Sequence, residues 1–341
     1  MISQYFKTPD FWYNTRSPLS FMLRTLLLPA SWIYHLGTWI NKTFHKKYVK
    51  QYRSTLPIIC VGNLVAGGAG KTPTVMALAK YFKEAELNVA FILRGYGTNI
   101  EEPIKVDNKK HTHLDVGDEA MMLSYYGETF VCNNRVKAIK LAEESDADLI
   151  IADDGLQNYT FMKDIKILVL NGTDGFGNEK LIPAGPLREN RKSLLPEIDM
   201  TIIIGEDKRG LKKQFTCPVI TAKTVVPKNC ASRAVINKFG QKPIVAFAGI
   251  GRPQKFFNTL KKDLNYNVIK TKAYPDHFPY DDKALDELKH LSLIHQAILI
   301  TTFKDYFRLP KDFKMNVVPV TIDLVFDNQS KMKKVLNRIL V

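Results

Sequence analysis

The sequence is poor in cysteine. Only Cys60, Cys132, Cys217 and Cys230 occur among 341 residues, and none forms a C-x-x-C pair. That excludes a disulfide scaffold and a paired-cysteine metal site, and it reads as reduced thiols in a cytosolic protein, with Cys60 in a buried strand. Internal repeats and long low-complexity runs are absent, which excludes solenoids and compositionally biased arrays. An uninterrupted apolar run is also missing. Residues 19–40 are apolar but carry Arg24, Pro29 and His35, which argue against a membrane-spanning helix. A secretory signal is not expected, because the apolar stretch starts only after Asp10 and Arg16 and no A-x-A-like site follows it. The guanine-specific pattern Asn-Lys-x-Asp is absent as well: Asn108-Lys-Lys-His111 lacks the final acid. Acidic charge is comparatively scarce, with 34 Asp and Glu against 49 Lys and Arg, a net charge of +15.

What is present is unevenly placed. Residues 1–53 hold Lys7, Arg16, Arg24, Lys42, Lys46, Lys47, Lys50 and Arg53 with one acid, Asp10. All three tryptophans, Trp12, Trp32 and Trp39, lie in the same stretch. Basic charge alone suits nucleic acid, anionic lipid or an anionic substrate. Tryptophan and lysine around an apolar helix favour the membrane interface, and no nucleic-acid recognition motif occurs. Ser17 and Pro18 read as N-cap and first residue of a helix over residues 19–44, which Pro29 kinks or restarts. The expected placement is flat on the cytoplasmic face of a bilayer. The competing placement is a core helix docked on the main domain.

Beyond residue 53 the pattern alternates between strand and helix, which predicts an α/β fold with a parallel sheet. Apolar strands are expected at 57–61, 88–93, 129–132, 148–152, 165–170 and 200–204, with helices at 73–86, 117–126 and 135–143. A second, smaller α/β unit follows, with strands at 244–248, 267–271, 297–301 and 317–322, helices at 254–263 and 281–291, and a closing helix at 331–341. Residues 208–242 are polar, basic and proline-containing and read as the hinge. The expected domains are 1–53, a basic membrane-associated helical segment; 54–222, a P-loop domain; and 223–341, a smaller substrate or lid domain.

Val65-Ala-Gly-Gly-Ala-Gly-Lys-Thr72 lies between a strand and a helix. Such a loop wraps phosphate in backbone N–H groups, and Gly67, Gly68 and Gly70 let the chain approach closely. Val65, Ala66, Gly67, Gly68, Ala69, Gly70, Lys71 and Thr72 are therefore the expected nucleotide-binding residues, with Lys71 on the β- and γ-phosphates and Thr72 on Mg²⁺. ATP is the expected nucleotide. The usual first glycine is replaced by Val65, so the loop is a variant. Ile150-Ile-Ala-Asp-Asp-Gly155 is the expected partner: an apolar strand ending in acids at the sheet's carboxyl edge, with Asp153 first and Asp154 next as metal-shell candidates.

These segments resemble the tetraacyldisaccharide 4′-kinase family. The matching stretches are Val61-Gly-Asn-Leu-Val-Ala-Gly-Gly-Ala-Gly-Lys-Thr-Pro73, Leu93-Arg-Gly-Tyr-Gly97, Gly117-Asp-Glu119, Asp153-Asp-Gly-Leu-Gln157, Pro183-Ala-Gly-Pro-Leu-Arg-Glu189 and Asp276-His277-Phe278. Their order along nearly the whole chain is more specific than any one of them. The resemblance implies a kinase that moves the γ-phosphate of ATP to the 4′-hydroxyl of an acylated glucosamine disaccharide 1-phosphate, a lipid A precursor. It places the enzyme on the inner-membrane surface, in keeping with the basic, tryptophan-bearing segment, which argues for anionic lipid and against nucleic acid; no obligate protein partner is evident.

The resemblance further implies that Asp118 and His277, on different lobes, activate the sugar hydroxyl, and that domain closure excludes water. It suggests Glu119 as a second Mg²⁺-shell acid, Arg135 and Arg188 as phosphate contacts, Arg94 and Tyr96 at the substrate entrance, and Gln157 as an orienting residue. Three positions depart from the family pattern. Asn158 stands where histidine is usual, Ala120 where proline is often found, and Thr302-Phe-Lys-Asp305 lacks a glutamate, so Phe303 is given no role. The rival function is a membrane-associated P-loop ATPase acting as a switch or positioning factor, which would hydrolyse nucleotide without an acceptor.

Overall fold

The computed structural model describes residues 9–14, 17–95, 98–228, 233–234, 238 and 242–339. Lys7, Arg16, Tyr96, Gly97 and Cys230 lie outside the described residues. The chain divides into two compact units. The larger is Thr8–Thr224 with Leu324–Val341, and the smaller contains Val225–Asp323.

The larger unit is built on a nine-stranded sheet. Its strands are β1 (Ile58–Gly62), β2 (Val89–Leu93), β3 (Ile104–Lys105), β4 (Glu128–Val131), β5 (Leu149–Asp153), β6 (Ile165–Asn171), β7 (Met200–Ile204), β8 (Val219–Val225) and β13 (Asp323–Phe326). Across the sheet they run β13-β8-β7-β6-β1-β5-β2-β4-β3. The pairs from β8 through β4 are parallel, and β3 is antiparallel to β4. β1, β2, β5 and β7 are buried at every residue. Continuous Ile, Val, Leu and Ala runs suit strands covered on both faces, as a parallel sheet requires. The helices of this unit before the smaller one are α1 (Pro18–Tyr48), α2 (Lys71–Glu84), α3 (His113–Val116), α4 (Asp118–Leu123), α5 (Arg135–Glu143) and α6 (Arg191–Leu194).

Two elements differ from the sequence reading. β8 lies inside the stretch read as a polar hinge. Its residues Val219-Ile-Thr-Ala-Lys-Thr-Val225 are only partly buried, the pattern of a strand near a sheet margin, so composition hid it. Residues 324–341, read as the close of the second unit, belong to the first. Asp327 accepts from the backbone N–H of Thr221 at 2.9 Å and also bonds the Thr221 hydroxyl, while its own N–H reaches the Thr221 carbonyl. The following helix, Gln329–Leu336, buries Met332, Val335 and Leu336.

α1 is one continuous helix through Pro29, with Ser17 as N-cap and Pro18 in its first turn. One face is fastened to residues 181–197. Ser31 Oγ donates to the Leu181 carbonyl and accepts the Ala184 N–H. Tyr34 donates to the Arg188 carbonyl, and Lys42 and Lys46 pair with Glu189 and Glu197 at 2.5 and 2.7 Å. Trp12 donates from Nε1 to the Pro183 carbonyl just upstream. The other face exposes Leu19, Met22, Leu26, Ile33, Leu36, Ile40 and Phe44, spaced by three, four or seven residues, together with Trp32 and Trp39. Among the described residues no helix is long and apolar enough to cross a membrane.

The smaller unit has a four-stranded parallel sheet in the order β10-β9-β11-β12, formed by β9 (Ile244–Ala248), β10 (Val268–Ala273), β11 (Ile298–Thr302) and β12 (Val317–Val320). β9 is wholly buried because both faces are packed. Ile244, Ala246 and Ala248 meet Phe256, Phe257 and Leu260, whereas Val245 and Phe247 meet Leu288, Leu299 and Phe313. The chain leaves β9 for β10 on one flank and then crosses to β11 on the other, so a topological switch point lies at the carboxyl ends of β9 and β11.

Candidate functional site

In the larger unit, Val61 of β1 is in register with Asp153 of β5. The loops that follow these two strands therefore leave the sheet side by side. The loop after β1 runs from Asn63 to Gly70 and opens α2, a helix of 14 residues. Gly67 and Gly70 have φ of 109° and 93°, a left-handed range that favours glycine. A Cβ at Gly70 would stand 2.4 Å from Ile204 Cδ1. The loop is braced from outside: Ala66 donates to the Pro186 carbonyl at 2.8 Å, and Arg188 N–H donates to the Leu64 carbonyl at 2.9 Å. The helix N-terminus and the glycine turn together form a concave anion cradle.

Lys71 Nζ lies 3.3 Å from Asn63 Oδ1 and 3.6 Å from Asp154 Oδ2, and Thr72 Oγ1 donates to Asp153 Oδ2 at 3.2 Å. Asp153 is buried, and its second oxygen, Oδ1, has no hydrogen-bond partner. Burial, followed by the negative charge of Glu119, pushes its carboxyl up to about 7. A buried carboxylate oxygen lacking a donor, beside a threonine hydroxyl and a second acid, suits a hard cation. Among the described residues no three His, Cys, Asp or Glu side chains gather tightly enough to cage a metal alone. Mg²⁺ takes one or two carboxylates and completes its shell with phosphate oxygens and water, a demand that Asp153 and Thr72 can meet.

Asp154, also expected near the metal, is committed elsewhere. It adopts φ 53°, and Arg188 NH1 meets its two oxygens at 3.0 and 2.9 Å. Burial acts to raise its carboxyl, but Lys71 and Arg188 outweigh that and hold it below the usual range. Arg135 is buried and donates from NH2 to the carbonyls of Asp153 and Asp154 at 3.1 and 2.9 Å. It fastens the acid turn from behind, and burial pulls its guanidinium value down. Gln157 Nε2 donates to the Asn63 carbonyl at 3.1 Å, linking the acid turn to the phosphate loop. Asn158 serves as a turn residue whose Oδ1 accepts the Thr160 N–H and hydroxyl. Asp118 and Glu119 open α4 after Gly117 (φ 88°), and Asp118 is buried. Arg94 is exposed just beyond β2, and Tyr96 falls outside the described residues.

Two residues of this unit went unread in the sequence. Asn63 bridges Lys71 to the Gly67 carbonyl through its amide. Glu189 is buried and accepts from Lys42 and from the Tyr159 hydroxyl at 3.1 Å, tying α1 to the acid turn's neighbourhood. Both lie inside the motif segments quoted above, adjacent to assigned residues.

In the smaller unit, His277 has φ 60°, with its N–H reaching the Gly249 carbonyl at 3.2 Å and the Asp276 carboxylate at 3.1 Å. Lys304 Nζ stands 3.1 Å from its Nε2, and Arg308 NH2 stands 3.4 Å from its Nδ1. Beneath it lies a buried ion pair: Arg308 NH1 to Asp305 Oδ1 at 2.9 Å, with the same NH1 donating to the Gly249 carbonyl at 2.8 Å. Asp305 also accepts the Gly249 N–H and the Thr302 hydroxyl. Thr302, Lys304, Asp305 and Arg308 carried no role in the sequence reading, although three of them sit in the segment that departs from the family pattern. A lysine and arginine near a short helix look like solvated charges until the fold turns them inward.

Residues 23–340 match the family model described as "Tetraacyldisaccharide-1-P 4'-kinase". The chain is 36% identical to the tetraacyldisaccharide 4′-kinase of Paramagnetospirillum magneticum over 336 residues, covering 98% of each protein. It is 38% identical to the enzyme of the same name from Parvibaculum lavamentivorans, over 89% of this chain and 86% of that one. A crystal structure of LpxK from Aquifex aeolicus in complex with ATP superposes with a TM-score of 0.75 at 27% identity, covering 94% of this chain and all of that one.

Proposed function

The chain belongs to the tetraacyldisaccharide-1-P 4′-kinase family, and on that premise we propose how its own residues perform the transfer. It is an ATP-dependent kinase of lipid A biosynthesis, which moves the γ-phosphate of ATP to the 4′-hydroxyl of tetraacyldisaccharide 1-phosphate. Backbone N–H groups of Val65–Thr72 hold the phosphates, and Lys71 meets the β- and γ-phosphoryl oxygens once ATP draws it from Asn63 and Asp154. Asp153 and Thr72 would hold Mg²⁺, with Glu119 as the further acid, and the ion would supply charge neutralisation of the phosphates. Asp154 and Arg188 form a preset charge pair beside Lys71, and Arg135 keeps the acid turn fixed. Gln157 keeps the acid turn tied to the loop, and Arg94 and Tyr96 serve the acceptor.

Asp118 and His277 take the acceptor hydroxyl's proton and orient it, the task a weak oxygen nucleophile needs done. The smaller unit, as a substrate-binding lobe, supplies His277. The exposed apolar face of α1, with Trp32 and Trp39, rests on an anionic bilayer at its cytoplasmic side, where the lipid acceptor resides. The support for that placement is a helix whose polar face is already spent on residues 181–197 while its apolar face is left uncovered.

The observation that carries the phosphotransfer reading is Asp153 Oδ1, buried and unpartnered beside Thr72 at the mouth of the phosphate loop. The test is transfer from γ-labelled ATP to tetraacyldisaccharide 1-phosphate in mixed micelles with Mg²⁺, with Lys71→Ala as the control. A bisphosphorylated lipid is expected only from the intact protein, and the variant should lose about a hundredfold or more in kcat/KM, about 2.7 kcal/mol. Hydrolysis of ATP stimulated by bare anionic vesicles, with no labelled lipid, would replace the kinase reading by a membrane switch.

A further inference from the structure

We propose that Lys304 is a positioning residue for His277, selecting the imidazole tautomer that carries its lone pair on Nε2. The inference rests on the reading of His277 as an acceptor-activating residue. It starts from a geometric fact: both ring nitrogens of His277 face cationic donors. Lys304 Nζ is 3.1 Å from Nε2. Arg308 NH2 is 3.4 Å from Nδ1, while the same guanidinium spends its NH1 on Gly249 and Asp305 at 2.8 and 2.9 Å. An ammonium has three donors and no acceptor. A guanidinium likewise only donates, so both cations seek a lone pair and the neutral ring offers one.

The shorter contact decides the competition. Lys304 claims the Nε2 lone pair, and the ring proton is left on Nδ1. That lone pair is what an acceptor hydroxyl needs. In the protein without substrate the ammonium occupies it, and an incoming O–H takes the place of the N–H. When the hydroxyl oxygen bonds phosphorus, its proton passes to Nε2 and the bond from phosphorus to the bridging oxygen of the nucleotide breaks, leaving the diphosphate. Lys304 yields its place at Nε2 to the hydroxyl before this step and bonds neither the phosphorus nor the attacking oxygen.

The rest of the surroundings hold both partners in place. Asp276 Oδ1 lies 3.9 Å from both Lys304 Nζ and His277 Nε2, keeping the ammonium over the ring. The histidine backbone is pinned in its left-handed conformation by the Gly249 carbonyl, which Arg308 also grips. Thr302 caps the helix Phe303–Arg308 by accepting the Asp305 N–H, so Lys304 rides on a fixed turn. Arg308 and Asp305 are the foundation, and Lys304 is the part that addresses the ring.

The experiment uses the full-length protein with ¹⁵N-labelled histidine. The sequence has seven histidines, and the His277 resonances are assigned by their loss in His277→Gln. In the unaltered protein His277 should show a protonated Nδ1 and an acceptor-type Nε2. Lys304→Met, close in length but without a donor, should shift the ring toward the Nε2–H tautomer and lower kcat about 10- to 100-fold, with little change in the KM for lipid. Lys304→Arg keeps a donor and should keep the tautomer and restore part of kcat. A folded Lys304→Met protein with unchanged kcat would overturn the proposal. So would one in which kcat falls but the tautomer stays the same, since Lys304 would then act on the substrate directly. If His277→Gln retains full kcat, the reading of His277 itself fails. The tautomer measurement needs no substrate and separates the two failures.

Discussion

Arg188 grips Asp154 through a single nitrogen that meets both carboxylate oxygens, at 3.0 and 2.9 Å. The same residue donates its backbone N–H to Leu64 at the start of the phosphate loop and offers its carbonyl to Tyr34 of α1. One residue thus joins the acid turn, the phosphate loop and the amphipathic helix. Its charge pair holds Asp154 away from Asp153, leaving Asp153 as the acid that faces Thr72.

Removing either partner should therefore disturb the same step. Arg188→Ala and Asp154→Asn are each expected to lower kcat/KM for ATP by about tenfold or more. Both side chains are about one-third exposed, so their direct coupling in a double-mutant cycle should be modest, about 1 kcal/mol. Strict additivity of the two substitutions would show that the pair does not act as a unit.

Asp153 sets a pH dependence. Its folded-state carboxyl is pushed up to about 7 by burial and then by Glu119, above the value of an unfolded aspartate near 4. Between those values the folded protein keeps a proton that the unfolded chain has lost. The stability of the metal-free protein should therefore fall as pH rises from about 4 to about 7, then level off. Mg²⁺ competes with that proton, so its affinity should rise by up to about tenfold per pH unit below 7 and plateau above. Titration calorimetry in buffers of different ionisation enthalpy should detect proton release at pH 6 but not at pH 9. Asp153→Asn should abolish the release and flatten the stability profile.

The outer face of α1 predicts a separation of binding from chemistry. Replacing Trp32 and Trp39 by serine should weaken sedimentation with anionic vesicles while leaving ATP affinity unchanged, since neither side chain is among those that fasten the helix. Lys42→Ala behaves differently: it strips a buried carboxylate, Glu189, of its cation. That should cost roughly 1–3 kcal/mol of stability by urea unfolding.

In the smaller unit the ion pair of Arg308 and Asp305 is almost wholly removed from solvent. Arg308→Ala leaves a buried carboxylate without its cation and takes from the Gly249 carbonyl one of its donors, the His277 N–H remaining. The expected cost is about 3–5 kcal/mol, read as a lower urea midpoint for the transition that includes this unit. A loss below about 1 kcal/mol would mean that the neighbouring Thr302 hydroxyl and Gly249 amide suffice.

Much of this arrangement is legible in the chain because it depends on local order. A short apolar strand, three glycines and Gly-Lys-Thr determine the phosphate loop, and β5 is apolar up to Asp153, so both sites could be read residue by residue. The fastening residues are harder. The family resemblance suggests Arg135 as a phosphate contact, yet its guanidinium is spent on two carbonyls that the parallel pairing of β2 with both β4 and β5 brings within reach. Asp305 and Arg308 are one helical turn apart, a spacing common to solvated pairs; only the fold, which sets them against Gly249 just beyond β9, buries them. β8 escaped because its Lys and Thr residues point outward near the sheet margin, leaving too little apolar contrast to stand out.

The pairing of β8 with β13 has a consequence for the order of assembly. The chain leaves the larger unit after β8, completes the smaller unit, and only then returns as β13 beside the strand it left. On a ribosome, the smaller unit emerges whole while the nine-stranded sheet still lacks its last strand and the helix Gln329–Leu336 that follows. The segment translated first is thus finished last, and until residues 324–336 arrive, β8 presents an open sheet edge. A chain truncated near residue 323 should keep a folded smaller unit yet expose that edge to aggregation.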